Sequence, residues 1–424
     1  MTLLVLGWKP RFEETLRTLG MPVVIVLGEE ERVRYEQVAR DVGEVLNLPD
    51  KADVGRLLPA LTRSGHGRGD ITHVYTDQET PMVPGALLAE HLGARALSVS
   101  SAVLVRDKFL QKKALRMAGI DVAEHRLVPV GAAARAAVLG DFRYPAVIKP
   151  ISAWGSRHIA VVGSADEAAA VLAALPPGLP DADAFVVEEF VDGPEMHADG
   201  QLVDGEVAFL SVSRYWQPVL STRRTALVGS RIVDPEDGAY PQAELLVRSV
   251  AKAFELETTT FHLEYFETSR GLVFSELAAR TGGTWVTDTV REKFGVDLRQ
   301  LALRSFVGLG AGRVPPTGDG VVGWSYLPAP AGTIRALPAE PEILALPGVR
   351  RVELDQDLLG SASDRPRRAG LVLLAGDDDA DLRRRLDHVI EWFGHSVVMS
   401  GGEVAEPDPG TYSGKTGLCL TKNE

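Results

Sequence analysis

The feature that most restricts this chain is the alternation of short apolar runs with helical patterns over its first hundred residues. Leu3 to Leu6, Val23 to Leu27 and His73 to Tyr75 read as strands. Arg11 to Leu19, Val54 to Thr62 and Gly85 to Leu92 read as helices between or after them. Apolar runs without polar alternation need cover on both faces, so the rhythm predicts a parallel sheet flanked by helices. The first turn, Gly7-Trp8-Lys9-Pro10, lacks a G-x-G-x-x-G pattern, so a dinucleotide site there has little support.

Pattern divides the chain into three. Residues 1–98 form the α/β region. Residues 99–310 carry the chemistry-bearing motifs, with 120–190 as a small lid subdomain. Residues 311–424 form a C-terminal lobe that opens on Val314-Pro315-Pro316-Thr317-Gly318 and ends in a polar stretch, 401–424, expected to be a mobile tail. At 424 residues the chain exceeds one ordinary domain. A formal charge of −13 makes nucleic acid a poor partner. One cysteine, Cys419, excludes an internal disulfide framework and predicts a reducing, cytoplasmic setting. No apolar run reaches about 18 residues, so no membrane-spanning helix is expected.

Three motifs in the middle region can bear chemistry. Pro145 to Pro150 is an apolar strand ending in Lys149, whose ammonium would meet anions at the strand's mouth. The small-residue loop Ser152 to His158 follows, with Ser152, Gly155 and Ser156 able to offer N–H groups to phosphate. Taken alone, this segment is better explained as a plain surface turn after a strand-end lysine. Phe185 to Val191 is an apolar strand ending in Glu188 and Glu189, with Glu195 beyond a turn. It can expose backbone groups to a base edge and a carboxylate to ribose, or be an edge strand with solvated acids. The third motif is sharper. Phe261 to Phe266 and Leu272 to Leu277 flank Glu267 to Gly271, a hairpin. Glu264 lies on one strand and Glu276 on the other, and His262 shares the face of Glu264. Opposed carboxylates repel, so the pair invites a hard cation such as magnesium. Arg280, four residues past Glu276, can hold an oxyanion nearby. The bland alternative is a cross-strand acid pair bridged by that arginine.

Taken in order, Lys108 on its helix, Lys149 with its loop, Glu188-Glu189-Phe190-Val191 with Gly193 and Glu195, then Glu264, Glu276 and Arg280 before a double glycine resemble the ATP-grasp superfamily. The resemblance spans roughly residues 100 to 310. It implies an ATP-grasp fold of α/β class: an N-terminal parallel α/β domain, a central two-lobed nucleotide site and a C-terminal lobe. It also implies ATP as cosubstrate and Mg²⁺, or else Mn²⁺, as cofactor. Lys108 and Lys149 would contact phosphates, and Ser152 to His158 would be the lid loop. Glu188, Phe190 and Val191 would line adenine, with Glu189 beside them, and Glu195 would hold ribose. Glu264 and Glu276 would hold the metal, and Arg280 would grip the substrate carboxylate and then the tetrahedral oxyanion. His262 stands as a base for the attacking amine or as a core histidine. Many members carry asparagine two residues after the second glutamate as a further metal ligand; here that residue is Ala278.

The string Glu276 to Arg280, with Phe294-Gly295 beyond it, looks like the L-amino acid ligases that make dipeptides. In that branch a bulky aromatic often stands four residues after the arginine; this chain has Thr284, then Trp285. The implied reaction activates a carboxylate as an acyl phosphate and joins it to an amine, with small-molecule substrates, no nucleic acid and no membrane. A homodimer is left open. Biotin-type carboxylation, a purine-pathway ligation and a non-catalytic ATP-binding module are the alternatives.

Overall fold

The computed structural model describes residues 1–400 apart from 130–131, 154, 156–157, 176–183, 224–225, 311–317 and 319. Ser156 and the expected tail therefore lie outside the described residues, as does most of the Pro/Gly-rich linker.

The N-terminal strands pair in parallel in the order Glu44–Asn47, Val23–Leu27, Thr2–Leu6, Ile71–Tyr75. Successive residues of one strand serve opposite faces. Leu3 and Val5 pack with Trp8, Phe12 and Leu16, while Leu4 and Leu6 pack with Leu57, Leu61 and Leu88. This is why the apolar runs show no polar alternation. The strand Glu44–Asn47 and the helix Glu29–Arg40 were not expected. The strand is short and half polar, and the helix has a weakly apolar face with Glu31 and Ala39 as its buried residues.

The centre of the molecule is an eight-stranded antiparallel sheet. Its order is Gly271–Ala278, Thr259–Thr268, Glu195–Val203, Glu206–Tyr215, Gly229–Ile232, Val321–Ala329, Arg367–Gly376, Val349–Leu354. The last three strands belong to the C-terminal region, so that lobe extends the same sheet. Val203-Asp204-Gly205 makes a tight hairpin with both Asp204 and Gly205 at positive φ, 51° and 80°. Helix Ala239–Ala253 covers one face through Val247, Val250 and Ala251, against Phe261, Leu263, Tyr265 and Phe274. A separate four-stranded antiparallel sheet, His125–Val128, Phe185–Glu189, Ala146–Pro150, Ala160–Val162, forms the small lobe.

Strand Gly271–Ala278 is the exposed edge of the large sheet, and an unpaired edge in a folded interior costs hydrogen bonds. Helix Lys108–Met117 covers it. The Gln111 amide donates to the Leu277 carbonyl at 2.9 Å and accepts from the Leu277 N–H at 3.0 Å. Lys112 donates to the Ser275 carbonyl, and the Phe274 N–H donates to Asp121 O at 3.0 Å. The helix is thereby tied to the strand that carries Glu276. We expect Gln111→Leu, which keeps the volume but strands two buried backbone groups, to lower unfolding free energy by about 1–3 kcal/mol per group, read from urea denaturation.

Candidate active site

A cavity of about 270 Å³ lies between the small lobe, the large sheet and the C-terminal strands. Its walls include Lys108, Lys112, Lys149, Glu188, Glu195, Tyr215, His262, Glu264, Glu276 and Arg280. Residues more than 150 positions apart in sequence thus share one enclosure.

Glu264 and Glu276 stand directly opposite each other in the antiparallel register. Each is held on one side only. Oε1 of Glu264 accepts from the Tyr215 hydroxyl at 2.6 Å and lies 3.4 Å from His262 Nε2. Oε2 of Glu276 lies 3.2 Å from Lys108 Nζ. Among the described residues, Glu264 Oε2 and Glu276 Oε1 have no recorded partner. Burial raises the pKa of Glu276, but Lys108, Lys149 and Lys112 outweigh it and set the value at about 2. Two anionic oxygens facing one cavity suit a hard divalent cation, so the donor set fits magnesium. Ala278 pairs with His262 and adds no ligand.

On the other side of the cavity one carboxylate ties three elements together. Glu188 receives Lys149 at 2.9 Å, across strands of the small lobe, and Lys112 at 3.0 Å, from the helix beneath. Burial pushes the Lys112 ammonium down to about 8, whereas for Lys149 the charges of Glu188 and Glu276 overcome burial and raise it. Lys108 starts its helix behind the cap Asp107, and its ammonium also donates to the Ala153 carbonyl at 2.6 Å. Gly155, Phe190 and Val191 line the cavity as well, and the Ser152 carbonyl accepts from Arg106 at 2.6 Å. Glu189 also borders the cavity, but its carboxylate is taken by Arg270 at 2.9 and 3.0 Å. Strand alternation explains the split, since Glu188 and Glu189 must point to opposite faces.

Glu195 borders the same space. Its Oε2 accepts from the Val219 N–H at 2.6 Å. Burial, then the neighbouring Glu264 charge, pushes its pKa up to about 8.

His262 is not an open base. Its Nδ1 lies 2.8 Å from Asp199 Oδ1 and its Nε2 faces Glu264, so both nitrogens are engaged. Asp199, fully buried, also meets His197 Nδ1 at 2.5 Å, and His197 Nε2 meets Ser230 Oγ at 2.8 Å. Burial disfavours the His262 cation, but Asp199 and Glu264 raise its pKa to about 10. The row Ser230–His197–Asp199–His262–Glu264 therefore orients a carboxylate of the acidic pair. His197, Asp199 and Tyr215 escaped the sequence reading. His197 and Asp199 alternate on one strand face two strands away from Glu276, a relation that only sheet order reveals. Gly282 matters here for space: a Cβ would sit 2.6 Å from Asp199 Oδ1.

Arg280 has a partner that its neighbourhood in sequence cannot reveal. Its Nε and Nη2 both donate to Glu79 Oε1, and its Nη1 donates to the Thr281 carbonyl at 2.7 Å. Glu79 follows the fourth N-terminal strand and also pairs with Arg106. Asp77, two residues earlier, accepts from Thr281 N–H at 2.7 Å and Thr281 Oγ1 at 2.6 Å. The N-terminal domain thus fixes the segment after Glu276 from below. Thr284 lines the cavity at φ 51°, while Trp285 is buried in packing against Val322, Trp324 and Leu373.

Residues 142–288 match the ATP-grasp domain family. An L-arginine-specific L-amino acid ligase of Bacillus subtilis is 28% identical over 291 residues, covering 68% of this chain and 70% of that protein. The crystal structure of an L-amino acid ligase from Bacillus licheniformis superposes with a TM-score of 0.73 at 18% identity, covering 94% of this chain and 98% of that one. An N5-carboxyaminoimidazole synthase from Aspergillus clavatus, in complex with ADP and 5-aminoimidazole ribonucleotide, reaches 0.67 at 17% identity, covering 92% and 98%. At these identities the solved structures speak for the fold. Among the described residues no helix is long and apolar enough to cross a membrane.

The pH dependence of stability has a defined sign. His262 adds stability that is complete below the ordinary histidine pKa and is lost as pH rises through about 10. Glu195 keeps its proton when folded after the unfolded chain has released it, so it too lowers stability as pH rises from the ordinary carboxylate range toward about 8. The urea midpoint of the ligand-free protein is expected to fall between about pH 6 and about pH 8, above which Lys112, pushed down to about 8 by burial, acts in the opposite direction. Asp199→Asn should shrink that fall, because it removes the charge that raises His262.

Proposed function

We propose that this chain is an ATP-grasp, ATP-dependent carboxylate–amine ligase and that the carboxylate it activates belongs to an amino acid, which it joins to an amine with release of ADP and phosphate. The observation that carries this reading is the opposed pair Glu264 and Glu276 within reach of Lys108 and Lys149 in one cavity. The Bacillus subtilis relative, named as an L-amino acid ligase, supports the substrate class.

A carboxylate is a poor electrophile, because it is anionic and has no good leaving group. Transfer of the ATP γ-phosphoryl to one carboxylate oxygen makes a mixed anhydride. The amine then attacks the acyl carbon and phosphate departs. Magnesium held by Glu264 and Glu276 would supply positive charge to the phosphate oxygens. Lys108 and Lys149 add cationic charge beside that point, and Lys112 supports Lys149 through Glu188. Phe190 and Val191 line the cavity where the base would lie, with Glu195 near ribose. The Arg280 fork is occupied by Glu79, so in this reading its remaining N–H groups meet the carboxylate and then the tetrahedral oxyanion. His262 holds Glu264 in place and does not take the proton of the amine. The loop from Ser152 would close over the phosphates and keep water from the anhydride.

An amino-acid panel with ATP and magnesium, read by phosphate release and product mass, tests the reading. Bicarbonate in the same screen separates it from carboxylation. Glu276→Ala is expected to abolish ATP-dependent turnover while circular dichroism stays native. ADP release at the wild-type rate by that variant would overturn the assignment. Arg280→Ala should lower amide formation more than nucleotide binding; equal loss of both would remove its oxyanion role.

A further inference from the structure

The cavity continues beyond Arg280 toward the C-terminal strands. Its wall there consists of Thr284, Val228, Val286, Trp324, Tyr326 and Arg368. Thr284 Oγ1 is 3.4 Å from the Tyr326 hydroxyl, and the Arg368 guanidinium lies over the Tyr326 ring, 4.6 Å from its centroid. Arg368 stands on strand Arg367–Gly376, six positions along the sheet from the strand bearing Glu276, so it belongs to the far end of the cavity from the acidic pair. Each of the other lysines and arginines lining the cavity is paired: Lys108 with Glu276, Lys112 and Lys149 with Glu188, Arg280 with Glu79. Arg368 lines the cavity while staying exposed to solvent, and it has no carboxylate within ion-pair distance among the described residues. Stacking on an aromatic ring leaves the planar N–H edge of a guanidinium available and pre-oriented, and that edge matches a carboxylate.

We propose that Arg368, braced on Tyr326, binds a substrate carboxylate other than the one being activated. The assignment rests on the amino-acid ligase reading above. Val228, Val286 and Trp324 would cover the aliphatic portion, and the guanidinium would meet the anionic end. Two sources share this chemistry: the side chain of an acidic amino acid, and the α-carboxylate of an amine-donating amino acid. Where the arm takes a side chain, a cationic one would face a like charge, unlike the L-arginine in the name of the Bacillus subtilis relative.

The test compares wild type with Arg368→Gln in two series: glutamate or aspartate against glutamine or asparagine, and amine-donor amino acids against their α-amides. Wild type is expected to favour the carboxylate form by about tenfold or more in kcat/KM in one series, and Arg368→Gln to bring that ratio to about one. The responding series identifies the source. No preference in wild type, or a preference that Arg368→Gln retains, overturns the assignment. The same pairs are measured by equilibrium binding with a non-hydrolysable ATP analogue and magnesium. Absence of turnover with every amino acid would sink the ligase reading. Carboxylate-over-amide binding that Arg368→Gln abolishes would still support the subsite, and equal binding of both forms would overturn it.

Discussion

Two carboxylates placed face to face on adjacent strands repel, and much of this molecule is arranged around that repulsion. Glu264 and Glu276 cannot separate, because the register of a buried hairpin holds them. The surrounding structure answers with charge. Lys108 pairs with Glu276, and His262, made cationic by Asp199, leans on Glu264. Each carboxylate keeps one oxygen toward the cavity. The compensation is thus incomplete on the side where a divalent ion and a triphosphate would complete it.

The lysines illustrate how the small lobe and the body share one electrostatic unit. Lys149 projects from the small lobe and Lys112 from the helix that covers the sheet edge, and both end on Glu188. Removing water from two ammonium groups and one carboxylate is costly unless they meet. The lobe is therefore tied to the body at the cavity through a buried ion triad. The same helix satisfies the edge strand through Gln111, so the position of Lys108 and that of Glu276 are set by one contact surface.

The N-terminal domain contributes more than a covering layer. Asp77 and Glu79 emerge where its fourth strand ends and bind Thr281 and Arg280, about two hundred residues later in the chain. This places the arginine that follows the second acidic residue under the control of a different domain. A reading of Arg280 as a free clamp for a substrate carboxylate needs that partner in view, since Glu79 occupies the fork.

Local pattern in the sequence was enough for the strand–helix rhythm of the first hundred residues, the hairpin that carries Glu264 and Glu276, the strand-end lysine and the order of acidic and basic motifs. These are legible because apolar periodicity, turn residues and a charge inside an apolar run act over a few neighbouring positions. The exact register was not readable: the strands run on to Thr268 and Gly271, past the expected turn, and a bulge beside Glu264 is what sets it opposite Glu276. Tertiary structure alone decided which groups hold those acids. Asp199 reaches His262 across strands, Glu79 reaches Arg280 across domains, and Lys112 reaches Glu188 across lobes. No local pattern records such partnerships, because they are set by sheet order and by the burial that makes an unpaired charge too costly to leave.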